Sequence, residues 1–220
     1  LQEVTPGAWE LLSEFLGHPD AAYTPRVDGF RSGEGAPVFC LNPEIGILDK
    51  QSFWFSETPA EPSQSWKAAH PRVCSFLELQ DAGSGSLWFF NLHLDHKSRQ
   101  ARGKSLVLLR KKIRAMCSPR DRIIIIGDFN MPGYRKEVRQ FLDGDPELVD
   151  ATRFHPIGAL TPTFLGWGFF KLAKARIDLC LHTKNLHTES YQAETPEWEG
   201  QMISDHRAVV VELSTDSSSD

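Results

Sequence analysis

The chain has 220 residues, of which 40% are hydrophobic, and its 24 basic and 29 acidic side chains give a net charge of −5. This composition is typical of a folded globular protein and excludes a disordered chain. The longest apolar run, residues 123–126, is far shorter than the roughly 20 residues of a membrane-spanning helix, and the negative charge disfavours non-specific binding to long duplex nucleic acid.

The first predicted element is a helix near the start of the chain. Thr5-Pro6 can cap and begin a helix, and Gly17 can end it. Four apolar residues follow the i, i+3, i+4, i+7 spacing of a single buried helix face: Ala8, Leu11, Leu12 and Phe15. The segment 18–35 is rich in Gly, Pro and Asp, and we predict that it is a loop.

Several short strands follow this loop. Apolar and aromatic runs predict strands over residues 38–41, 45–48, 52–55, 73–79 and 86–91. The last two runs flank a segment rich in Gly and Ser, and this arrangement predicts a hairpin.

The second half of the chain mixes helices and strands. A long helix is predicted over residues 99–117, and its buried face carries Leu106, Leu109, Ile113 and Met116. Residues 123–126 predict a fully buried strand, residues 134–142 a short helix, and residues 176–181 and 207–213 two late strands. We therefore expect one layered α/β domain over residues 1–213, with a disordered tail over residues 214–220.

The cysteines carry information about the protein's surroundings. Cys40, Cys74, Cys117 and Cys180 are far apart and form no C-x-x-C pair, so neither a zinc site nor a redox motif is indicated. A disulfide framework is unusual in a chain of this length. We expect reduced, buried thiols, as is typical of an intracellular protein.

Polar clusters follow the apolar strands. They are Asn91-Leu92-His93, Gly127-Asp128-Phe129-Asn130, Arg176-Ile177-Asp178 and Ser204-Asp205-His206, and Glu3 precedes the first helix. Loops at strand ends are where a rigid sheet presents catalytic groups, although Asp, Asn and Gly also favour ordinary turns. Carboxylate oxygens are hard ligands, so this inventory suits Mg²⁺ or Mn²⁺ better than zinc.

In this order the clusters resemble the endonuclease/exonuclease/phosphatase superfamily, which includes deoxyribonuclease and exonuclease III-like enzymes. The segments 53–59 and 91–96 resemble a bacterial and fungal branch of it. The resemblance implies a four-layer α-β-β-α sandwich of two mainly antiparallel sheets flanked by helices. Family members carry an earlier strand, with an Asn near the metal, before the segment that corresponds to Gln2-Glu3. The sequence has no such strand before Gln2, so we expect this chain to be truncated there.

The resemblance also implies roles for individual residues. Glu3 and Asp205 correspond to metal-binding carboxylates, and Asp128 and Asn130 to groups that position water and phosphoryl oxygens. A glutamate such as Glu3 in a helix's first turn is also favoured by the helix dipole alone.

Two histidines correspond to the catalytic histidines of the family. His206 corresponds to the general base, which Asp178 orients, and an imidazole that titrates near pH ~6.5 suits this work. His93 corresponds to the histidine that contacts the phosphate, and Glu34 is the candidate for orienting it. Glu34 is equally explained as an exposed loop residue.

Three residues at the rim of the expected site are candidates for substrate binding. Arg99 and Arg102 suit a phosphate because an arginine fork binds two oxygens. They also belong to residues 97–122, where ten basic side chains and one acid are typical of a solvated helix face. Trp167 can stack on a base or sugar, or pack at the edge of the domain.

The sequence therefore predicts a Mg²⁺-dependent (or Mn²⁺-dependent) monomeric hydrolase in which water attacks a phosphate ester. The substrate is a nucleic acid phosphodiester or a small phosphorylated molecule. The alternative is a catalytically impaired binding module or a truncated fragment of such an enzyme.

Overall fold

The computed structural model describes residues 1–80, 85–144, 148–166 and 174–215. The chain forms two compact units, Leu1–Asn130 and Met131–Asp220. In the described part of the chain, no helix has both the length and the apolar character required to cross a membrane.

In its described residues, the first unit contains two helices and six strands. Their bounds are α1 Pro6–Phe15, β1 Asp20–Ala22, β2 Val38–Cys40, β3 Ile47–Trp54, β4 Val73–Gln80, β5 Ser86–His93, α2 Arg99–Met116 and β6 Arg122–Asp128. β1 pairs with β2, and β3, β4 and β5 follow one another as antiparallel neighbours. β5 and β6 are parallel and are connected through α2, so their carboxyl ends lie at the same edge.

The predicted strands, hairpin and long helix of this unit are confirmed in outline. β4 and β5 form the predicted antiparallel pair, although residues 81–84 of its turn lie outside the described residues. α2 begins at Arg99, and Leu106, Leu109 and Ile113 are buried on one face as predicted, whereas Met116 is only half-buried.

Three details of the prediction were wrong. The segment 18–35 is not a loop throughout, because Asp20–Ala22 form β1 and pair with β2. Residues 45–48 and 52–55 are not separate strands, because the polar residues between them continue the pairing with β4 and form β3. The strand over residues 123–126 is not fully buried: Ile124 and Ile126 are half-buried, and alternate residues of β6 are covered. Such alternation is what a strand shows when its two faces meet different surroundings.

The buried face predicted for α1 was also wrong. Thr5 caps the helix by accepting a hydrogen bond from the Ala8 amide, but Leu11 and Phe15 are 70% and 85% exposed. The helix packs instead through Trp9, whose ring stacks on Tyr23 at 4.4 Å and lies 5.0 Å from Phe39. Trp9 follows Ala8, the first residue of the predicted face, and its large aromatic ring offers more contact area than the side chains of Leu11 and Leu12.

The second unit is built from short helices and strands. Their bounds are α3 Lys136–Leu142, β7 Leu148–Asp150, a 3₁₀ turn Ala151–Phe154, α4 Pro156–Leu160, β8 Asp178–Thr183, β9 Leu186–Glu194, β10 Glu197–Trp198, β11 Gln201–Met202 and β12 Ala208–Thr215. β7 pairs with β8, β9 with β12, and β10 with β11, all antiparallel. β12 includes Ser214 and Thr215, which were predicted to lie in the tail.

The cysteines are free thiols. Cys74 and Cys180 are buried, whereas Cys40 and Cys117 are half-buried. Burial raises the pKa of Cys180 and Cys117 to about 12, so both stay protonated and unreactive near neutral pH.

We expect Asp121→Asn to lower the free energy of unfolding by about 1–3 kcal/mol, because its carboxylate satisfies four donors. Ser86 N and Trp88 Nε1 each donate to it at 3.0 Å, and Ser118 donates through both its amide and its hydroxyl. Burial alone would raise the pKa of Asp121, but the hydrogen bonds outweigh it and the net pKa lies below the ordinary value.

A carboxyl whose folded-state pKa is lowered stabilises the protein above its unfolded pKa of about 3.9 and loses this effect as the pH falls through the folded value. Urea unfolding at pH 7 and pH 3 therefore measures a larger gap between wild type and Asp121→Asn at pH 7. The exposed Asp143→Asn is the control, and a gap that is independent of pH contradicts the account.

Candidate functional site

The carboxyl ends of β5 and β6 bring His93 and Asp128 together. The two residues are direct partners in the parallel register, and His93 Nε2 lies 3.4 Å from Asp128 Oδ2. Both residues are largely buried, at 9% and 5% exposure. A buried histidine beside a carboxylate is a group suited to binding or transferring a proton.

Asn130 completes this group. Its backbone amide donates to Asp128 Oδ1 at 2.7 Å, and its side-chain amide donates to Asp128 Oδ2 at 3.1 Å and to Leu94 O at 3.0 Å. The residue adopts a left-handed backbone with φ 49°, which asparagine tolerates better than most residues. Asp128 and Asn130 are therefore held in one fixed orientation relative to each other.

Gly127 permits the close approach of the two strands at this point. Its φ is 145°, and a Cβ at this position would lie 1.9 Å from Leu92 O. Because no side chain fits there, the glycine of the Gly-Asp-Phe-Asn cluster is a steric requirement of the site.

The N-terminal segment packs against β5 just before His93. Gln2 Nε2 donates to Asn91 Oδ1 at 2.8 Å, and Asn91 Nδ2 donates to Leu1 O at 2.7 Å. Glu3 follows directly; it is exposed and has a left-handed backbone with φ 58°.

Glu34 and the basic rim residues also lie in the first unit. Glu34 Oε2 lies 2.8 Å from Arg26 Nη1 in an ion pair. Arg99 is exposed in the first turn of α2, and Arg102 Nη1 donates to Asp95 O at 2.8 Å.

The second unit brings Asp178 and His206 together. His206 Nδ1 lies 2.7 Å from Asp178 Oδ2. An ionised carboxylate only accepts hydrogen bonds, so Nδ1 carries the proton and Nε2 is the basic nitrogen of the neutral ring. This is the tautomer that a general base requires.

Local contacts fix this pair in place. Thr163 Oγ1 accepts hydrogen bonds from the Ile177 and Asp178 amides, both at 3.0 Å. The Phe164 ring lies 5.1 Å from the His206 ring. Thr163 is 0% exposed, so its hydroxyl acts as a buried anchor for the start of β8.

Asp205 precedes His206 and is half-buried. Its backbone carbonyl accepts hydrogen bonds from the Leu165 and Gly166 amides at 2.7 and 3.3 Å. These bonds attach the segment before β12 to the loop of residues 161–166, which contains Thr163. Trp167, the other rim candidate, lies outside the described residues.

The sequence did not identify Arg72 as a site residue. Arg72 is 5% exposed and directly precedes β4. The only sequence feature that could have indicated this residue is an arginine placed immediately before an apolar strand. The role of Thr163 depends on two backbone contacts that no motif encodes.

The chain is similar to known proteins over nearly its whole length. A family model described as Endonuclease/Exonuclease/phosphatase family matches residues 1–206. An endonuclease/exonuclease/phosphatase structure from Bacteroides vulgatus is 25% identical with a TM-score of 0.84, covering 98% of this chain and 83% of that chain. A mannosyl-6-phosphatase structure from Bacteroides thetaiotaomicron is 28% identical with a TM-score of 0.82, covering 97% and 83%.

A viral relative is similar over a shorter stretch. An uncharacterised protein of Acanthamoeba polyphaga mimivirus is 37% identical over 102 residues, which are 43% of this chain and 37% of that protein. The match therefore spans little more than a third of that relative.

Proposed function

Because the chain belongs to the endonuclease/exonuclease/phosphatase family, whose members hydrolyse phosphate esters, we propose that it is a divalent-metal-dependent phosphoesterase. The mixed α/β fold predicted from the sequence is confirmed by the matching structures. The observation that carries the proposal is the 2.7 Å contact between Asp178 and His206, because it prepares a basic imidazole nitrogen.

The donor set is compatible with Mg²⁺ or Mn²⁺. The carboxylates of Glu3 and Asp128 are the candidate ligands in the first unit, and Asp205 is the candidate in the second. Carboxylate oxygens are hard ligands of the kind these ions prefer. A bound ion would offset negative charge on the phosphoryl oxygens.

The chain's own residues supply the remaining chemistry. Asp178 holds His206 so that Nε2 accepts a proton from the attacking water. His93 holds negative charge on the phosphoryl oxygens. Asn130, whose side-chain amide donates to Asp128 Oδ2 and Leu94 O, acts by fixing the Asp128 carboxylate beside His93. Preorganised groups of this kind contribute through positioning and electrostatics, with little rearrangement during the reaction.

We favour a small phosphomonoester as substrate. The support is the likeness to the mannosyl-6-phosphatase, which is 28% identical over 97% of this chain. A nucleic acid phosphodiester is the second candidate, and its support is the basic segment 97–122.

The two substrate classes are separated by comparing p-nitrophenyl phosphate with bis-p-nitrophenyl phosphate and a short oligonucleotide in the presence of Mg²⁺. We expect faster release of product from the monoester, with little effect of salt. Faster turnover of the oligonucleotide with a steep dependence on salt indicates the nuclease. Binding without turnover of any of the three indicates the binding module.

A further inference from the structure

A tight hairpin in the second unit directly precedes the segment 203–206. It consists of β10 and β11, which pair in antiparallel register with Trp198 opposite Gln201. The two residues of its turn, Glu199 and Gly200, adopt positive φ values of 50° and 75°. Two-residue turns with positive φ at both positions are the tight turns that hold paired strands in one register. The side chains of this element, which we call the Trp198 hairpin (residues 197–202), are therefore presented in a fixed arrangement.

The base of the Trp198 hairpin is bonded to the residue that follows His206. Ile203 N donates to Pro196 O at 3.0 Å and closes the base. Arg207 Nε donates to Thr195 Oγ1 at 3.2 Å. The hairpin is therefore attached to the segment that carries the proposed general base.

Trp198 and Gln201 form one face of the hairpin. Residues directly opposite each other on paired strands project to the same side, and their neighbours along each strand project to the other side. Trp198 is 69% exposed, and Gln201 is also exposed. This face therefore presents a large flat ring beside an amide that both donates and accepts hydrogen bonds.

The charge of this segment disfavours an anionic occupant. Residues 194–206 contain no Lys or Arg, and their four acidic residues are Glu194, Glu197, Glu199 and Asp205. The next cation along the chain, Arg207, is bonded to Thr195 Oγ1 and Pro162 O. Phosphates and nucleic acid backbones are repelled by such a segment, whereas a neutral hydroxyl group can donate to its carboxylates.

A sugar ring has the properties that this face recognises. One side of a pyranose ring exposes mainly C–H groups, which can pack on an indole, and the hydroxyl groups at its edge donate and accept hydrogen bonds. Tryptophan supplies a large contact area and has few rotatable bonds to fix on binding. A cation also binds the face of a tryptophan, but the residue beside Trp198 on this face is the neutral Gln201.

The hairpin lies within reach of His206. Gln201 precedes His206 by five residues, so their Cα atoms are at most about 18 Å apart. A phosphorylated mono- or disaccharide whose phosphate lies at His206 can therefore extend to the hairpin.

We propose that the face formed by Trp198 and Gln201 binds a sugar ring of the substrate, so that the enzyme selects phosphorylated sugars among phosphate monoesters. This inference rests on the proposed function and names the class of alcohol that is released. Trp198 packs against the C–H side of the ring, and Gln201 hydrogen-bonds to a hydroxyl group at its edge. Both residues act on binding of the substrate and take no part in the attack of water.

The test compares sugar phosphates with a phosphate monoester that lacks a ring. Glucose 6-phosphate and trehalose 6-phosphate supply one and two rings, glycerol 3-phosphate supplies none, and all are assayed with Mg²⁺. We expect the wild type to have a lower KM for at least one sugar ester than for glycerol 3-phosphate. Phosphocholine represents the cationic alternative. A KM for phosphocholine below those of both sugar esters, and raised in Trp198→Ala, overturns the sugar assignment.

Variants assign the effect to the hairpin. Trp198→Ala should raise the KM for the preferred sugar ester about tenfold, with kcat and the KM for glycerol 3-phosphate unchanged. Trp198→Phe keeps an aromatic ring and should retain most of the preference, and Gln201→Leu should weaken it. Phe154→Ala is the matched control, because Phe154 is another aromatic residue of the second unit and is 75% exposed. Equal changes for all esters, or no change in Trp198→Ala, overturn the proposal.

Calorimetry separates this inference from the proposed function. If the wild type hydrolyses none of these esters, the proposed function fails, and binding of the two sugar esters and glycerol 3-phosphate still judges the hairpin. Tighter binding of a sugar ester that is lost in Trp198→Ala and kept in Trp198→Phe supports the sugar site. Equal affinity for the three compounds, or no binding of any, overturns it.

Discussion

His206→Ala is expected to lower kcat by about 10²–10⁴-fold, the usual contribution of a positioned general base. The reason is the 2.7 Å contact of Nδ1 with Asp178, since in the proposed mechanism Nε2 is then the nitrogen that accepts the proton of the attacking water. Alanine removes this nitrogen and leaves the backbone that leads into β12 in place. Because the His206 side chain is 27% exposed, we expect the fold to survive.

The measurement is steady-state kinetics on the phosphate ester that the wild type hydrolyses fastest. Circular dichroism and thermal unfolding of the same samples show whether the variant is folded. His187→Ala is the matched control, since His187 is an exposed histidine of β9 in the same unit. Asp178→Asn should also lower kcat, because an amide can stabilise the wrong ring tautomer. Turnover at the wild-type level in His206→Ala refutes the assigned role.

Gly127→Ala is expected to destabilise the protein by more than about 4 kcal/mol, a cost that few single substitutions reach. The new Cβ would lie 1.9 Å from Leu92 O and 2.9 Å from Leu92 C. Both are backbone atoms of β5, so no side-chain rotation relieves the clash. The φ of 145° adds strain for any residue with a Cβ.

Urea unfolding, or the yield of soluble protein, reports this loss. The matched control is Gly7→Ala, because a Cβ at Gly7 in α1 has no other atom within 4 Å. Alanine is also the better helix former by about 1 kcal/mol, so the control should be at least as stable as wild type. A Gly127→Ala protein within 1 kcal/mol of wild type would contradict the close approach of β5 and β6.

Elements with a strong local pattern could be predicted from the sequence. α2 and the hairpin of β4 and β5 have long periodic or apolar runs, and their types were predicted correctly. The packing of α1 could not be predicted, because the stacking of Trp9 on Tyr23 depends on a loop 14 residues away. β9 was missed because its burial alternates with exposed polar residues, and its pairing with β12 is non-local.

The site residues also divide into those whose arrangement follows from a short motif and those that are brought together from distant parts of the chain. Asp128 and Asn130 are two residues apart, so their shared orientation follows from a short motif. Asp178 and His206 are 28 residues apart, and only resemblance to a family suggested that they pair. The environment of Arg72 depends on Asp95 and His96 from another segment, and no spacing rule connects them.

The dependence of phosphate ester hydrolysis on a divalent metal tests the central claim most directly. The protein is treated with a chelator, assayed on the best phosphate ester, and assayed again after Mg²⁺ is added, with His206→Ala in parallel. We predict that activity is lost on chelation and restored by Mg²⁺ in the wild type only. Hydrolysis that persists without metal, or that is equal in the variant, contradicts the account.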